Sequence, residues 1–192
     1  MTDDSKPARK PWHRHFETVG SISAIIVGVA ALYVSWDQGR VMREEVRASV
    51  WPAVQVEGYV DRPEGLLTIG LRLQNAGVGP ARLERITIRE NGELIEDFDA
   101  LVDRMPPGAQ RSVQTVSGRI LAAGDSAHPF ELRYDDERLA DVDAVDLLAD
   151  LDERWSIEVC YCSVLDQCWV GGDGEVGQHE VDSCDGAPAS SF

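Results

Sequence analysis

The chain of 192 residues carries a formal net charge of −16. Such acidity argues against a nucleic-acid-binding protein, because contacts to phosphate require a basic face, and against a domain that lies flat on anionic lipid. The charge is unevenly shared, since residues 1–36 have a net charge of +1 and the remainder carries −17. We therefore expect a short basic N-terminal part followed by one acidic domain of ordinary size.

The run over residues 19–36, VGSISAIIVGVAALYVSW, contains neither a charged residue nor a proline. Its 18 residues would rise about 27 Å as a helix, close to the roughly 30 Å of a bilayer's hydrocarbon core. Tyr33 and Trp36 near its end are typical of the membrane interface. We therefore predict one transmembrane helix over residues 19–36, preceded by a polar tail over residues 1–18.

Two other interpretations of this run are weaker. A secretory signal has a shorter apolar region, of about 7–15 residues, and ends in a small-residue cleavage site. A buried helix of a soluble protein would place polar residues at every third or fourth position, whereas this run offers only Ser21, Ser23 and Ser35. A retained span is favoured over a cleaved signal and over a soluble core helix.

Small residues in this span are spaced for helix association. Gly20, Ala24 and Gly28 lie four residues apart and therefore share one face of a helix. Small residues at this spacing let two backbones approach closely in lipid. A homodimer through the span is therefore a hypothesis, beside the simpler view that glycine and alanine are common in membrane helices.

The residues after the span predict a continued helix and an orientation. Charged residues at helical spacings extend the helix over residues 37–51, and Trp51-Pro52 ends it. Four basic residues precede the span, and three arginines follow within fifteen residues. This small bias places the tail on the cytoplasmic side and the acidic domain outside the cytoplasm, as a periplasmic or extracellular part of an inner-membrane protein.

Residues 52–171 alternate between strand and turn patterns. Apolar residues alternate along 66–74 and 81–89, which predicts strands there, and we predict further strands over residues 53–59, 112–121, 129–134, 155–164 and 168–170. Asn91-Gly92 predicts a tight hairpin, and two stretches, 98–105 and 137–153, have helical spacing. The fold class is therefore mainly β: an antiparallel sandwich with short helical insertions, followed by a loose tail over residues 172–192 held by Cys184.

A turn between two of these strands carries a resemblance. The segment Asn75-Ala-Gly-Val-Gly-Pro-Ala81, which follows the Trp51-Pro52 break, resembles the N-x-G-x-G-P-A segment of uncharacterised bacterial single-span membrane proteins. The resemblance implies an immunoglobulin-like sandwich behind a membrane helix, and it implies no activity. The structural-turn residues are Asn75, Gly77, Gly79 and Pro80; we expect them to shape the backbone, with a binding loop as the weaker alternative.

The four cysteines all lie in the last third of the chain. Cys162 and Cys168 bracket a turn and are plausible partners across a hairpin, which leaves Cys160 for Cys184. Free buried thiols are one alternative. A zinc site is another, although the spacings C-x-C, C-x5-C and C-x15-C fit the usual zinc knuckles poorly.

No catalytic motif is recognisable. An acidic run over residues 135–152 lacks the glycine turn of a calcium loop and is interleaved with a helical apolar stripe, so a solvated helix face is favoured. His128 and His179 have no nucleophile motif near them, and no phosphate-binding or dinucleotide fingerprint is present. We therefore predict no cofactor, metal or catalytic residue.

Three function classes follow in order of preference. The first is a membrane-anchored structural or interaction module, with the lipid bilayer and an unidentified protein as its partners. The second is a cytoplasm-facing adaptor domain with reduced cysteines. The third, and least favoured, is a hydrolytic or metal-dependent enzyme.

Overall fold

The computed structural model describes residues 12–135, 144–172, 177–186 and 190. The chain forms two compact units, Met1–Val46 and Arg47–Phe192. The first unit is helical, and the second contains all the strands.

Helix α1 runs without interruption over Trp12–Ser49. Its described residues from Phe16 onwards are long and apolar enough to cross a membrane, with a mean hydropathy of 1.9 in the most apolar window and none of that window buried. Side chains on every face of it are exposed, including Ile22, Ile25 and Ile26. In water this arrangement would not stabilise the fold, because the apolar area of the helix would stay in contact with solvent.

The start of α1 differs from the sequence prediction. Residues 12–18 belong to the helix and not to a tail, because no proline or glycine interrupts the chain between Pro11 and the apolar run. The predicted tail over residues 1–11 lies outside the described residues. At the other end, the helix stops at Ser49, just before the Trp51-Pro52 break.

The second unit begins with a first antiparallel sheet. Its strands are β1 (Val54–Asp61), β2 (Leu67–Asn75), β5 (Gln110–Val113), β7 (Ser126–Ala127) and β8 (Phe130–Tyr134). The order is β1-β2-β8-β5, and β7 pairs with the end of β2. A single 3-10 turn, Pro63–Gly65, connects β1 to β2.

A second antiparallel sheet contains the remaining strands, β3 (Ala81–Glu90), β4 (Glu93–Leu94), β6 (Ile120–Leu121), β9 (Trp155–Cys162), β10 (Cys168–Gly172) and β11 (His179–Val181). The order is β11-β10-β9-β3-β4, with β6 paired to the start of β3. The β3–β4 hairpin turns at Asn91 and Gly92, whose φ angles of 49° and 84° are those that the Asn-Gly pair predicts.

Alternate residues of both sheets meet in one core. Leu67, Ile69, Leu71 and Leu73 of β2 are at most 3% exposed and pack in a single cluster with the inward residues of β3 and β9. Helix α2 (Phe98–Val102) begins at Asp97, whose side chain caps Ala100 N–H, and buries Leu101 in the same core. Helix α3 (Ala144–Arg154) packs against β1 and β9.

These features confirm the predicted class, a mainly β sandwich behind an N-terminal helix. One predicted strand was wrong: residues 112–121 form two strands, because Val113 pairs with β8 in the first sheet and Ile120 pairs with Arg82 in the second. The chain crosses between the sheets there, burying Val116 on the way. The predicted helix over 137–153 is described only from Ala144.

The C-terminal segment is more ordered than predicted. Strand β11 extends the second sheet, and Cys184 follows it. Ser190 lies against the middle of β3, where its N–H donates to the carbonyl of Ile86 at 3.0 Å and its hydroxyl accepts from the N–H of Ile88 at 3.1 Å. The described residues beyond 172 are therefore part of the domain and are held by more than Cys184.

Candidate functional site

Asn75 is the centre of the turn that the sequence singled out. Its side chain is fully buried and makes five hydrogen bonds. Oδ1 accepts from the N–H groups of Ala53 at 3.2 Å and Gly77 at 3.0 Å. Nδ2 donates to the carbonyl of Gly79 at 2.8 Å and to those of Leu121 and Ala122. One amide thus satisfies backbone groups from three separate segments, a set that we call the Asn75 clasp.

The two glycines of the clasp permit a close approach of backbones. A Cβ at Gly77 would overlap the N–H of Ala53, and a Cβ at Gly79 would overlap the carbonyl of Val50. The N–H groups of Val78 and Gly79 both donate to the Trp51 carbonyl, at 3.0 and 3.1 Å. Glycine is therefore required at both positions by space, and neither needs a positive φ.

The clasp holds the segment through which the helix enters the sandwich. Residues 50–53 lie between the end of α1 and the start of β1. Trp51 and Ala53 in this segment are hydrogen-bonded to residues 75–79 of the turn. The predicted turn residues are thus brought together around one backbone segment. The arrangement is structural, because both polar atoms of the Asn75 side chain are hydrogen-bonded to the backbone and neither is free to bind a ligand.

The four cysteines form a second cluster, on the outer face of the second sheet. On β9, Trp155, Ile157, Val159 and Tyr161 point to the core, so Cys160 and Cys162 point outward. Cys162 is bonded to Cys168, its direct partner on β10, and Cys160 is bonded to Cys184 beyond β11. This is the pairing expected from the sequence.

The hairpin that carries the Cys162–Cys168 bond is closed by Ser163. The buried hydroxyl of Ser163 accepts from the N–H groups of Leu165 and Gln167, at 3.2 and 3.3 Å. Asp166 has a φ of 57°, which completes the tight turn. Local hydrogen bonds therefore set the register that places Cys162 opposite Cys168.

The two disulfides touch each other. Cys162 Sγ lies 3.8 Å from Cys184 Sγ, and the sulfurs of Cys162, Cys168 and Cys184 all lie within 4.8 Å of one another. Three converging sulfurs are a ligand set that soft metals accept. Each sulfur here is already in a disulfide, so the arrangement in this structure is that of two adjacent bonds.

A third group of polar side chains surrounds Tyr59 on the first sheet. Its hydroxyl donates to Glu131 Oε2 at 2.7 Å and lies 3.5 Å from His128 Nδ1, while Arg72 stacks 5.3 Å from the ring centre. Burial, followed by the hydrogen bond and charge of Glu131, raises the pKa of Tyr59 above its usual range. A phenol held protonated is a hydrogen-bond donor and a poor base. Sequence reasoning missed this group because its members lie on β1, β2, β8 and the turn before β8, which are far apart in the chain.

A small apolar cavity adjoins Tyr59. It is lined by side chains of both sheets and of α3, among them Phe130, Leu151 and Trp155, and has a volume of about 70 Å³. Sites for drug-sized ligands are several times larger, at about 300–1,000 Å³. The cavity therefore does not carry a ligand-binding function.

The remaining predicted residues lie elsewhere. Gly20, Ala24 and Gly28 are exposed along one side of α1, and a Cβ added at Gly20 or Gly28 would meet nothing within 4 Å. His179 is on β11, away from the Tyr59 group on the first sheet that contains His128. Residues 136–143 of the acidic run over 135–152 lie outside the described residues. No protein-family model, curated protein or solved structure matches this chain.

Proposed function

We propose that the chain is a single-pass protein of the inner (cytoplasmic) membrane whose acidic β-sandwich stands outside the cytoplasm as a structural or interaction module. The observation that carries this proposal is the apolar part of α1, which is unburied and exposes large apolar side chains on every face. Covering such a surface with lipid removes the cost of exposing it to water. The sandwich behind it has a core of its own and needs no cover from the helix.

Two observations support the orientation. Basic residues before the apolar run outnumber those that closely follow it, four to three, which favours a cytoplasmic N-terminus. All four cysteines are paired in disulfides, which persist in oxidising compartments and are rare in the cytosol. A cytoplasm-facing adaptor would require the same cysteines to be reduced, so the pairing favours the first arrangement.

The Asn75 clasp supports a role that depends on attachment. It fastens residues 50–53 to the body of the sandwich by hydrogen bonds from residues 75–79. A flexible linker would instead expose its backbone groups to water. We propose that the clasp keeps the start of the sandwich folded where the anchor is attached to it.

The membrane part of the proposal is tested by placing a charge in the span. Ile26→Arg should cost about 2.5–3.5 kcal/mol on insertion scales, and the variant should leave the membrane fraction or insert poorly. Ile26→Leu is the matched control and should remain membrane-bound after alkaline carbonate washing. Wild-type protein that stays in solution without detergent would contradict the proposal.

The orientation is tested separately with a reporter fused after Phe192. Alkaline phosphatase, which is active only after export, should be active in this position, and a fluorescent protein that folds only in the cytoplasm should be dark. The opposite pair of signals would assign the domain to the cytoplasm and support the adaptor function.

A further inference from the structure

We propose that the outer face of the second sheet is a thiol–disulfide exchange site, at which a thiol attacks Cys168 and the exchange passes from Cys162 to Cys184. The attacking species is a small thiol or the thiol of a protein reductant. The site concerns the disulfides alone, so it stands or falls independently of the proposed membrane topology.

The contact between the two disulfides carries the proposal. Cys162 Sγ and Cys184 Sγ are 3.8 Å apart, although they belong to different bonds. Exchange proceeds by attack of a thiolate on a disulfide sulfur, so a thiolate freed at Cys162 already touches its next target. The register explains this placement, because Cys160 and Cys162 are two apart on one face of β9 and Cys184 reaches both.

Access to the cluster is unequal. A surface pocket beside the hairpin is lined by Cys162, Cys168 and Cys184, whereas Cys160 does not line it and is 2% exposed. Cys168 is 6% exposed and lies at the start of β10, next to the hairpin turn. Cys184 is half-buried and so more exposed than Cys168, and a thiol in the pocket reaches either sulfur. Attack at Cys168 is the route that releases Cys162 against Cys184, whereas attack at Cys184 releases Cys160 directly.

An arginine of β3 flanks each disulfide. In the strand register Arg82 is the partner of Cys162 and Arg85 is the partner of Cys160, so both side chains lie on the same outer face as the sulfurs. Arg85 also donates to the carbonyl of Cys184. A neighbouring guanidinium stabilises a thiolate and so assists its departure as a leaving group.

Carboxylates also face this pocket. Glu84 and Asp166 are both ion-paired with Arg82, which reduces the effect of that arginine on Cys162. Asp182 and Asp185 line the pocket near Cys184. Arg85, the arginine next to the Cys160–Cys184 bond, forms no salt bridge with the described residues, and it is therefore the better placed of the two arginines to favour the second step.

The exchange needs no further oxidant or reductant, because two disulfides and one thiolate react to give two disulfides and one thiolate. The external thiolate bonds to Cys168, the Cys162–Cys168 bond breaks, and its electron pair leaves on Cys162. The Cys162 thiolate bonds to Cys184, the Cys160–Cys184 bond breaks, and Cys160 leaves as a thiolate that takes a proton from water. The products are a mixed disulfide at Cys168, a new Cys162–Cys184 bond and a buried thiol at Cys160.

The test treats the purified, oxidised full-length protein with one equivalent of glutathione at pH 8, followed by acid quenching and alkylation. Chymotryptic cleavage at Tyr161 and Leu165, with tandem mass spectrometry, separates the four cysteines. We expect glutathione on Cys168, a Cys162–Cys184 link and an alkylated Cys160. Glutathione on Cys168 with a free Cys162 and an intact Cys160–Cys184 bond would overturn the proposal. Glutathione on Cys184 with an intact Cys162–Cys168 bond would overturn it too, as would the absence of any reaction with the folded protein.

Variants test the direction of the exchange and the part played by Arg85. Cys168→Ser and Cys160→Ser each leave one thiol at the contact, and both should yield the same Cys162–Cys184 link from opposite sides. Arg85→Met should raise the pKa of the Cys160 thiol, and each unit of that rise should slow the release of Cys160 by about threefold. Arg89→Met, on the same strand but beside Ser156, is the matched control and should react at the wild-type rate. Equal rates in the two arginine variants would remove Arg85 from the site.

Discussion

At the scale of single residues, the side chain of Asn75 holds together more of the backbone than its small size suggests. The amide is 0% exposed and its oxygen and nitrogen together serve five backbone groups. No other side chain offers two acceptor lone pairs and two donors in so short a span, so aspartate and leucine would each leave several of these groups unpaired. Its backbone is engaged as well, because Asn75 N–H donates to Asp125 and its carbonyl accepts from Gly124.

Replacing Asn75 should therefore destabilise the domain strongly. We expect Asn75→Ala to lower the free energy of unfolding by about 3 kcal/mol, because buried backbone groups of Ala53 and Gly79 lose their partner. Urea unfolding of the purified protein measures the change. Gln74→Ala, at the exposed neighbouring position, is the control and should change stability by less than about 0.5 kcal/mol. Equal midpoints for the two variants would show that the clasp contributes little.

Two buried tyrosines predict a loss of stability in alkali. Burial raises the pKa of Tyr134 and of Tyr161 to about 12, and the Val54 N–H at the Tyr161 hydroxyl only partly opposes it. In the unfolded chain a tyrosine titrates near 10, so between about pH 10 and 12 the unfolded state has released protons that the folded state still binds. Stability should therefore be unaffected below pH 10 and fall as the pH rises above it.

Tyr134→Phe separates this effect from other alkaline damage. The Tyr134 hydroxyl has no hydrogen-bond partner among the described residues, so the variant should be as stable as the wild type, or more so, at pH 8. It should also lose less stability between pH 10 and 12, with a difference of at most about 2–3 kcal/mol. Urea midpoints at pH 8 and pH 11 provide the measurement, and identical pH profiles for variant and wild type would refute the explanation.

At the scale of elements, sequence periodicity correctly predicted which strand residues face the core and which face outward. The alternation along β2 and β9 correctly separated core residues from outward ones, and therefore placed Cys160 and Cys162 on one face. It failed where a partner decides the structure. Residues 112–121 contain no charged break before Arg119, yet Val113 and Ile120 pair in different sheets. Strand β11 and Ser190 were missed because they have no apolar pattern: pairing with β10, the Cys160–Cys184 disulfide and hydrogen bonds to β3 hold them in place.

The same distinction applies to the candidate sites. Asn75, its glycines and the cysteines were found because turn chemistry and spacing are local signals. The Tyr59 group, the arginines beside the disulfides and the contact between the disulfides were missed. Each joins residues from strands that are adjacent only after the sheets form, such as Arg85 with Cys160. No spacing rule reports such neighbours.

The apolar helix also predicts an association that can be measured. Gly20, Ala24 and Gly28 share a face of α1, and a Cβ added at Gly20 or Gly28 would meet nothing within 4 Å. Gly20→Ile with Gly28→Ile should therefore leave insertion intact and weaken dimerisation in an in-membrane association assay. Ala30→Ile, about 120° around the helix from this face, is the control and should associate like the wild type. The same signal from wild type and double variant would exclude this face as the contact.

At the scale of the whole molecule, the two units make different demands on their surroundings. The described part of the helical unit exposes a long apolar surface, which a bilayer would cover. The second unit has a closed core, an acidic surface and two disulfides on the outer face of one sheet, which suit an aqueous and oxidising compartment. A membrane anchor with an exported domain satisfies both demands in one chain.

The redox state of the four cysteines in living cells tests this account most directly. Cells are quenched in acid, free thiols are alkylated at once, and the membrane-bound chain is mapped by mass spectrometry. The account predicts no alkylated cysteine in most molecules, with Cys160 linked to Cys184 and Cys162 linked to Cys168. Four alkylated thiols in freshly quenched cells would contradict it and assign the domain to the cytoplasm.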